Sequence, residues 1–263
     1  MVKISIITAV YNNREHLKDC IRSVINQSYP HIEYIIIDGG STDGTLDVIK
    51  EFGPQISRWI SEPDRGIYDA LNKGISICTG DVVGILHSDD LFGSDDTLAH
   101  IARTFEKYSC DAVYGNLVYT PRHETNKVLR FWKSNTFDKG LLSRGWMPPH
   151  PTLFIKNEWF KEKGSYRTDF KIAADYDLIL RFFGTARFKS VYIDEVVTRM
   201  RTGGASNKSF RNIYLKSKED WIALRENRIG GLVTLFRKNF QKLTQFIKKP
   251  EPETKSESNP DIL

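Results

Sequence analysis

The sequence predicts an α/β fold in which a mostly parallel, twisted central sheet is flanked by helices and followed by a C-terminal helical extension. Two observations predict this fold. Across the first 110 residues, short apolar runs rich in isoleucine and valine alternate with stretches of helical periodicity, the order typical of parallel strands joined by helices. After residue 206, apolar residues recur at helical spacing among basic ones, which predicts the extension.

Each element is predicted from local pattern. Strands are expected where apolar runs end at polar residues, and helices where a capping residue precedes apolar residues on one face. In the first half, the predicted strands are 3–10, 32–37, 56–60 and 82–86, and the predicted helices begin near residues 13, 46, 68 and 96. In the second half, strands are predicted at 112–119, 128–132, 190–193 and 196–200, a helix at 174–183 and a proline-rich loop at 145–151.

The composition is that of a globular protein. Apolar residues make up 40% of the chain and aromatic residues 12%, enough for a sizeable core. No apolar run of about 18 residues predicts a membrane span, and the N-terminus lacks the pattern of a signal peptide. Three scattered cysteines, Cys20, Cys78 and Cys110, indicate a reducing compartment. A cytoplasmic location is therefore expected.

The net charge of +5 is concentrated in one segment. Residues 1–206 carry 26 basic and 26 acidic side chains, whereas residues 207–249 carry 11 basic and 3 acidic ones, a net of +8. The tail 250–263 has 1 basic and 4 acidic side chains, is rich in Pro, Glu and Ser, and is predicted to be disordered. The basic segment suggests an acidic partner, such as a membrane surface, a phosphate-rich ligand or a nucleic acid.

Carboxylates follow two of the predicted strands. Asp38 and the pair Asp89–Asp90 come shortly after strand ends, and ligands bind beyond the carboxyl ends of the strands in open sheets of this type. These carboxylates are therefore expected to face one crevice. Adjacent carboxylates repel each other, and a divalent metal that holds a phosphorylated ligand would relieve the repulsion. A solvated turn is the alternative for Asp89 and Asp90.

Two further segments carry polar side chains near this crevice. Asp38 and Asp43 bracket a Gly-Gly-Ser-Thr turn and are candidates to bind a nucleoside ring or ribose, although Asp43 has a helix cap as its alternative role. Arg65, Asp69 and Lys73 lie shortly before the acidic pair, where phosphates would need cationic support. An ordinary surface ion pair is the alternative for Asp69 and Lys73.

These motifs together resemble the family-2 glycosyltransferases of the GT-A fold. The resemblance covers about residues 3–206 and rests on an ordered set of motifs, any one of which alone would be weak. They are TAVYN at 8–12, IDGGSTDGT at 37–45, DRGIYDALNKG at 64–74, TGD at 79–81 and SDD at 88–90. The resemblance implies a catalytic domain at 1–206, with a nucleotide-binding half at about 1–110 and an acceptor half at about 111–206.

The family implies an inverting transfer of a sugar from a nucleotide-diphosphate donor, with Mn²⁺ or Mg²⁺ as the cofactor. Roles are carried over by position in the motifs. Thr8, Tyr11 and Asp38 would line the nucleoside pocket, Asp69, Lys73, Ser88 and Asp89 would border the donor, and Asp89 and Asp90 would hold the metal.

Two positions depart from the family pattern. His87 stands where an acidic motif of the form Asp-x-Asp-Asp often begins, so Asp89 is taken as the principal metal ligand with Asp90 beside it. Gly39 stands where the second of two successive aspartates is common. One nucleoside contact is therefore either missing or supplied by another residue.

The second half is expected to supply the catalytic base, a carboxylate that takes the proton of the acceptor hydroxyl. The segment 173–177 resembles the family's Glu-Asp motif with Ala174 in place of the Glu, which makes Asp175 the candidate. A carboxylate that only stabilises the helix dipole is the alternative. Asp177 lies one step round the helix from the matching position. Arg181 is expected either to support the diphosphate or to form a surface ion pair.

Four other second-half residues are candidates for the site, and the resemblance extends to one of them, His150. His150 lies in a loop like the family's histidine-containing loop on the acceptor side, where Trp146 would stack on a sugar. The alternatives are a structural hydrogen bond for His150 and core packing for Trp146. Arg199 and Arg201 are candidates for a loop that closes over the diphosphate.

The extension carries an apolar helical stripe of Leu232, Phe236, Phe240, Leu243 and Ile247, with Arg237, Lys238, Lys242, Lys248 and Lys249 among and after these residues. A basic amphipathic helix of this kind binds an anionic membrane interface, so residues 232–249 predict peripheral contact with the inner membrane face. Packing on the catalytic domain or on a second copy, as a homodimer, is the alternative.

The sequence thus predicts a metal-dependent hexosyl- or N-acetylhexosaminyltransferase that uses a UDP-sugar and a saccharide acceptor, lipid-linked, in cell-surface polysaccharide synthesis. A nucleotidyltransferase acting on sugar phosphates is a second candidate, but no glycine-rich loop follows the first predicted strand. A nucleic-acid-binding module is a third, but residues 1–206 have no net charge. No nucleic acid is therefore expected as a partner.

Overall fold

The computed structural model describes residues 1–203 and 210–244, which form nine strands and nine α-helices. The strands are β1 Ile4–Val10, β2 Ile32–Asp38, β3 Arg58–Ser61, β4 Val82–Ile85, β5 Leu91–Phe92, β6 Ala112–Thr120, β7 Arg130–Trp132, β8 Phe154–Lys156 and β9 Ser190–Arg201. The helices are α1 Arg14–Ile25, α2 Thr45–Glu51, α3 Ile67–Ile77, α4 Thr97–Lys107, α5 Gly140–Ser143, α6 Asn157–Lys163, α7 Ala174–Phe183, α8 Phe210–Glu226 and α9 Leu232–Thr244.

All the described strands belong to one sheet in the order β3-β2-β1-β4-β8-β6-β9-β5, and β7 pairs with β6. The predicted α/β class with helices flanking a central sheet is confirmed. The sheet is parallel from β3 to β4, but across its whole width four pairings are parallel and four antiparallel. Strands β5 and β8 were not predicted, because two or three residues are too few to display an alternating pattern.

Apolar cores cover both faces of the sheet, since successive side chains of a strand point to opposite faces. Along β1, Ile4 and Ile6 pack with α1 and α4, whereas Ile7 and Ala9 pack with α3 and α7. The carboxyl ends of β1, β2 and β3 lie side by side, as Val10 pairs with Asp38 and Asp38 with Ser61. Polar residues that follow these strands therefore meet at one edge of the sheet.

The C-terminal extension packs on the catalytic domain through buried charges. Glu219 of α8 accepts hydrogen bonds from three consecutive backbone N–H groups, those of residues 171–173, each at 2.9 Å. Asp220 of α8 binds Lys238 of α9 at 2.5 Å, and the Lys238 ammonium lies 3.2 Å from the centre of the Tyr176 ring on α7. Helices α8 and α9 therefore hold the start of α7.

This packing changes the interpretation of the predicted stripe. Lys238 is buried, although it was predicted to be one of the basic residues of a membrane-binding helix. The side of α9 that carries Lys238 therefore packs on the rest of the protein, which was the alternative to membrane contact. Leu232 and Phe236 are exposed, on the other side. The side chains of Phe240, Leu243 and Lys242, the residues Ile247, Lys248 and Lys249, the joint after Gly203 and the tail lie outside the described part of the chain. Among the described helices, none has the length and apolar character of a membrane span.

Candidate active site

The loops that follow β1 and β2 are joined by hydrogen bonds. Asn12 has a φ of 47°, donates its backbone N–H to Ser41 Oγ at 2.8 Å and accepts the Thr42 N–H on Oδ1 at 2.8 Å. Asp43 accepts the backbone N–H of Arg14, the first residue of α1, at 3.0 Å. Asp43 also accepts the backbone N–H of Thr45, the first residue of α2, at 3.0 Å, which is the helix-capping role considered for it. These hydrogen bonds make the two loops one rim of the site.

Thr8 and Asp38, both predicted to line the nucleoside pocket, are fully buried beneath this rim. Thr8 Oγ1 donates to the Leu86 carbonyl at 2.9 Å. The Asp38 carboxylate accepts from the hydroxyls of Ser41, at 2.5 Å, and Ser61, at 2.6 Å. The arrangement departs from the expectation for both residues, because their polar atoms are engaged inside the protein. They hold the strand ends together.

Tyr11 is the predicted nucleoside residue that is open to solvent, with 64% of its surface exposed. Its ring lies beside Gly39, and the carboxylate of Asp64 lies on the same side of Gly39. An exposed ring next to a carboxylate is a suitable place for a heterocyclic base, which would stack on one and hydrogen-bond to the other.

Asp69 and Lys73, predicted to border the donor, anchor the loop 61–66 to α3. Asp69 accepts the Arg65 backbone N–H at 3.1 Å, and its hydrogen bonds with Arg65 hold the pKa of Asp69 below its usual range. Lys73 Nζ donates to the Pro63 carbonyl at 3.1 Å and pairs with Glu62 at 2.8 Å. Direct contact of Asp69 and Lys73 with a donor stays a prediction.

The acidic motif follows β4. Asp89 is half-buried, and no described residue donates a hydrogen bond to its carboxylate. Asp90 is fully buried, with Oδ1 accepting the Arg201 backbone N–H at 3.1 Å. Burial and the neighbouring Asp89 charge raise the pKa of Asp90 well above its usual value. Ser88 Oγ accepts from Asn13 Nδ2 at 2.9 Å and so joins this motif to the rim.

The two carboxylates suit a divalent metal ion whose remaining ligands are supplied by a bound molecule. Asp90 Oδ2 is buried without a hydrogen-bond partner, and Asp89 is open, so both have oxygen available beside an uncompensated charge. Within residues 1–203 and 210–244, no three His, Cys, Asp or Glu side chains are grouped to hold a metal by themselves. Diphosphate oxygens and water would complete the coordination, as is usual for Mg²⁺.

Arg201 stabilises the acidic motif from within the protein, and its side chain does not extend over the crevice. Its guanidinium is buried and donates to the backbone carbonyl of Asp89 at 2.8 Å, to that of Arg122 at 2.9 Å and to the Asp19 carboxylate at 2.7 Å. Arg199 lies in β9 and donates to the Gly93 carbonyl at 3.3 Å. Neither arginine belongs to a closing loop in this structure, contrary to the expectation.

His87 connects the two halves of the site. Burial lowers the pKa of His87, and the charges of Asp89 and Asp175 oppose that shift, so carboxylates of both halves act on this imidazole. Asp175 lies in the first turn of α7, and its charge also acts on His150, the ring neighbour of His87. With a pKa below its ordinary 6.5, His87 is neutral at pH 7.

His150 forms the wall of the site next to His87, with ring centres 6.2 Å apart. Its Nε2 makes a 2.8 Å hydrogen bond with the Tyr166 hydroxyl, and burial lowers the pKa of His150 to about 4. The Tyr166 ring stacks on Tyr68 at 5.7 Å. The neutral imidazole thus makes a structural hydrogen bond, which was the alternative role considered for His150, and a contact with an acceptor stays a prediction.

Three other second-half residues have structural roles. Asp177 is buried and binds Arg181 Nε at 2.8 Å and Asn227 Nδ2 at 2.9 Å. Arg181 also donates to backbone carbonyls of residues 163–165, so it does not face the crevice as diphosphate support. Trp146 packs with Phe137 at a ring distance of 5.4 Å, which matches the core-packing alternative.

Sequence reasoning missed two contributors to this site. Asp64 had no role assigned, although the glycine at 39 indicated that a carboxylate was to be sought elsewhere. Glu219, which binds the backbone before α7, lies 46 to 48 residues from its partners. No local pattern could reveal that contact.

A cavity of about 420 Å³ lies at the opposite edge of the sheet, lined by Val2, Thr79, Phe105, Lys156 and Lys161 among others. It borders the amino ends of β1 and β4 and none of the residues described above. The candidate active site is therefore defined by its open carboxylates and not by enclosed volume.

The fold and the site define a class: an α/β protein with an acidic motif after β4 and a further partly exposed carboxylate, Asp175, at the start of α7. The chain belongs to glycosyl transferase family 2, whose family model matches residues 5–168. The GT-A-type fold and the glycosyltransferase class are thus confirmed, and neither the nucleotidyltransferase nor the nucleic-acid-binding alternative is carried further.

Similar proteins support this placement. A PGL/p-HBAD biosynthesis glycosyltransferase of Mycobacterium bovis is 30% identical over 217 residues, which are 81% of this chain and 82% of that protein. The fold resembles Staphylococcus aureus TarS 1–349 in complex with UDP-GlcNAc, with a TM-score of 0.67, 16% identity and coverage of 93% and 71% of the two chains. It also resembles a mannosyltransferase of Pyrobaculum calidifontis in complex with GDP-Man and Mn²⁺, with a TM-score of 0.65, 22% identity and the same coverage.

Proposed function

We propose that this protein is a metal-dependent, inverting glycosyltransferase that moves a hexosyl or N-acetylhexosaminyl group from a nucleotide-diphosphate sugar, a UDP-sugar in the first place, to a saccharide acceptor. One observation carries the proposal. His87, two residues before Asp89, packs against His150 with ring centres 6.2 Å apart, and the charges of Asp89 and Asp175 both act on the His87 imidazole, so acidic groups from both halves of the chain act on one residue.

The reaction follows from the roles of these residues. Asp175 takes the proton from an acceptor hydroxyl while that oxygen attacks the anomeric carbon of the sugar. The bond from that carbon to the diphosphate breaks on the opposite face, which inverts the configuration. The walls formed by His150 and Tyr166 keep the hydroxyl near Asp175 and exclude water. Asp89 and Asp90 would hold a divalent ion, whose charge stabilises the leaving diphosphate when it is bound.

Structures of similar fold support a nucleotide-sugar donor, because TarS 1–349 is in complex with UDP-GlcNAc and the Pyrobaculum mannosyltransferase with GDP-Man and Mn²⁺. The open Tyr11 ring supports the nucleoside end of such a donor, and the acidic motif supports its diphosphate. The acceptor we propose is a lipid-linked saccharide in cell-surface polysaccharide synthesis.

We expect a nucleotide-sugar panel to identify the donor. Thermal shift with UDP-, GDP-, dTDP- and CMP-sugars, each with and without Mn²⁺ or Mg²⁺, should raise the melting temperature for one nucleotide class in the presence of the metal. Binding stabilises only the folded state, by about 2.7 kcal/mol at a ligand concentration 100 times the Kd. The absence of a shift with every diphosphate sugar, in either metal, would contradict the proposed function.

We further propose that the extension brings the enzyme to an anionic membrane at the cytoplasmic face. Leu232, Val233 and Phe236 of α9 are exposed, the last with 73% of its surface, and Arg237 beside them is exposed as well. On α8, Ile213 and Tyr214 are also exposed. Apolar side chains beside basic ones suit insertion between anionic lipid headgroups.

The variant Leu232→Ser/Phe236→Ser should bind anionic liposomes at least about tenfold more weakly than the wild type, since each buried CH₂ contributes about 0.8 kcal/mol of membrane affinity. Sedimentation with vesicles of phosphatidylglycerol and phosphatidylcholine measures this. Leu129→Ser, at another exposed leucine, is the matched control and should bind as the wild type does. Equal sedimentation of all three proteins would count against membrane contact through α9.

A further inference from the structure

We infer that Asp64 supplies the carboxylate that recognises a ring N–H of the donor's nucleobase, in the space that a side chain at position 39 would otherwise occupy. The inference rests on the proposed use of a nucleotide sugar. It assigns a specificity-determining role to the loop 61–66, which crosses over the turn that follows β2.

The space above Gly39 is filled by Asp64. A Cβ atom added at Gly39 would lie 2.4 Å from Asp64 Oδ2 and 3.3 Å from Cδ2 of the Tyr11 ring. The backbone of Gly39 does not require glycine, since its φ is not in the left-handed region, unlike that of Gly40 at 82°. Glycine at 39 is therefore explained by the room that the Asp64 carboxylate takes.

Asp64 also has an oxygen to offer. Its Oδ1 accepts the Gly66 backbone N–H at 2.8 Å, whereas no described residue donates a hydrogen bond to Oδ2. Asp38, the other carboxylate at this point, is fully buried, and its oxygens already accept from two serine hydroxyls. Asp64 is thus the carboxylate with a free acceptor beside Tyr11.

The loop that carries Asp64 is well fixed. Asp69 binds the Arg65 backbone N–H, Lys73 binds the Pro63 carbonyl, and the Glu62 N–H donates to the Asp38 carbonyl at 3.0 Å. An acceptor fixed in this way discriminates between ligands better than a mobile one, because little ordering is needed on binding. The residues expected to border the donor therefore act here by holding Asp64.

The neighbouring Tyr11 indicates which part of a nucleotide meets Asp64. An exposed aromatic ring stacks on the face of a base, and an acceptor at the edge of that ring meets the edge of the stacked base. A carboxylate accepts only, so opposite the middle of the base's pairing edge it favours a ring N–H, such as uracil N3 or guanine N1, over the N3 lone pair of cytosine. Cytosine lacks that ring proton.

The test compares UDP and CDP binding to full-length protein by calorimetry with Mn²⁺. We expect the wild type to bind UDP about 10- to 100-fold more tightly than CDP, as is usual for a hydrogen bond to a charged group. Should GDP be the tighter ligand, it replaces UDP in the comparison. In Asp64→Asn and Asp64→Ser this preference should fall to less than about threefold, while binding of 2′-deoxy-UDP relative to UDP stays unchanged. Both replacements can still cap the Gly66 N–H, so loop geometry is preserved.

Relocating the carboxylate provides the sharper test. Gly39→Asp alone should weaken UDP binding, because two carboxylates would compete for one space. Gly39→Asp/Asp64→Ser removes the competitor and should restore a preference for UDP over CDP of at least about tenfold, against less than about threefold in Asp64→Ser alone. Asp47→Asn, the same charge removal at an exposed position on α2, is the matched control and should keep the wild-type preference.

The outcomes separate this inference from the proposed function. Tight UDP binding with an unchanged preference in both Asp64 variants would overturn the role of Asp64 and leave the donor class intact. A changed response to 2′-deoxy-UDP instead would place the contact at the ribose and also overturn the base assignment. If the wild type binds no nucleoside diphosphate, the proposed function and this inference fail together.

Discussion

Asp175→Asn is expected to lower kcat by about 10²- to 10⁴-fold while donor affinity changes by less than about threefold. The reason is that the amide cannot take a proton from the acceptor hydroxyl, and positioned general bases contribute rate enhancements of this size. Asn is nearly isosteric with Asp, and one Asp175 oxygen accepts only the neighbouring Tyr176 N–H at 2.8 Å. Steady-state turnover, with donor binding measured separately by calorimetry, provides the two numbers.

Asp177→Asn is the matched control on the same helix. Asp177 is buried and holds Arg181 and Asn227, so its amide variant should lower the melting temperature yet keep most of the turnover per folded molecule. Asp175→Asn should show the opposite pattern, with normal melting and lost turnover. Turnover near the wild-type level in Asp175→Asn would exclude it as the base.

The position of Asp175 depends on the C-terminal extension. Glu219 accepts three backbone N–H groups directly before α7, and Lys238 contacts Tyr176 within its first turn. Hydrogen bonds to a charged acceptor contribute about 1.5–3 kcal/mol each. The extension therefore packs on the segment that leads into α7, where it would orient the proposed base Asp175.

Apart from the two-residue strand β5, the strands and helices of the first half were predictable because each has a strong local pattern. The run 82–86 is apolar throughout and forms β4, and apolar residues on one face predicted α1 and α3. The second half depended on contacts between distant segments. The strands expected at 190–193 and 196–200 form one strand, β9, whose pairing with β6 accommodates an irregularity near Asn116.

The same distinction explains the candidate site. The acidic motif and Asp175 were indicated by sequence, because motif residues keep their spacing whatever the rest of the chain does. Some predicted roles were wrong because the polar atoms of those side chains form hydrogen bonds inside the protein. Asp38 accepts hydrogen bonds from two serine hydroxyls, and Arg201 donates to backbone carbonyls. Neither side chain is therefore open to a ligand, although both had been expected to be. Gly39 and Asp64 are the clearest case, since their relation exists only once the loop crosses the turn.

Asp89→Asn is expected to remove the stimulation of transfer by Mn²⁺ or Mg²⁺ and to lower turnover at saturating metal by at least about 100-fold. Asp89 has the open carboxylate of the acidic motif, whereas Asp90 has one oxygen on the Arg201 N–H and the other buried. A divalent ion supplies several kcal/mol of charge stabilisation, which the variant would forfeit. Calorimetry of UDP with and without Mn²⁺ should show that the metal no longer improves binding.

Asp95→Asn is a suitable control, because Asp95 is exposed and lies just beyond the motif. The substitution removes the same charge as Asp89→Asn does. It should keep the metal response of the wild type. Asp90→Asn should have an intermediate effect, since Asn can still accept the Arg201 N–H but loses the charge opposite Asp89. The principal metal ligand is the residue whose replacement abolishes metal-dependent nucleotide binding. If Asp89→Asn keeps the full metal response and Asp90→Asn loses it, Asp90 is the principal ligand and the assignment to Asp89 is wrong.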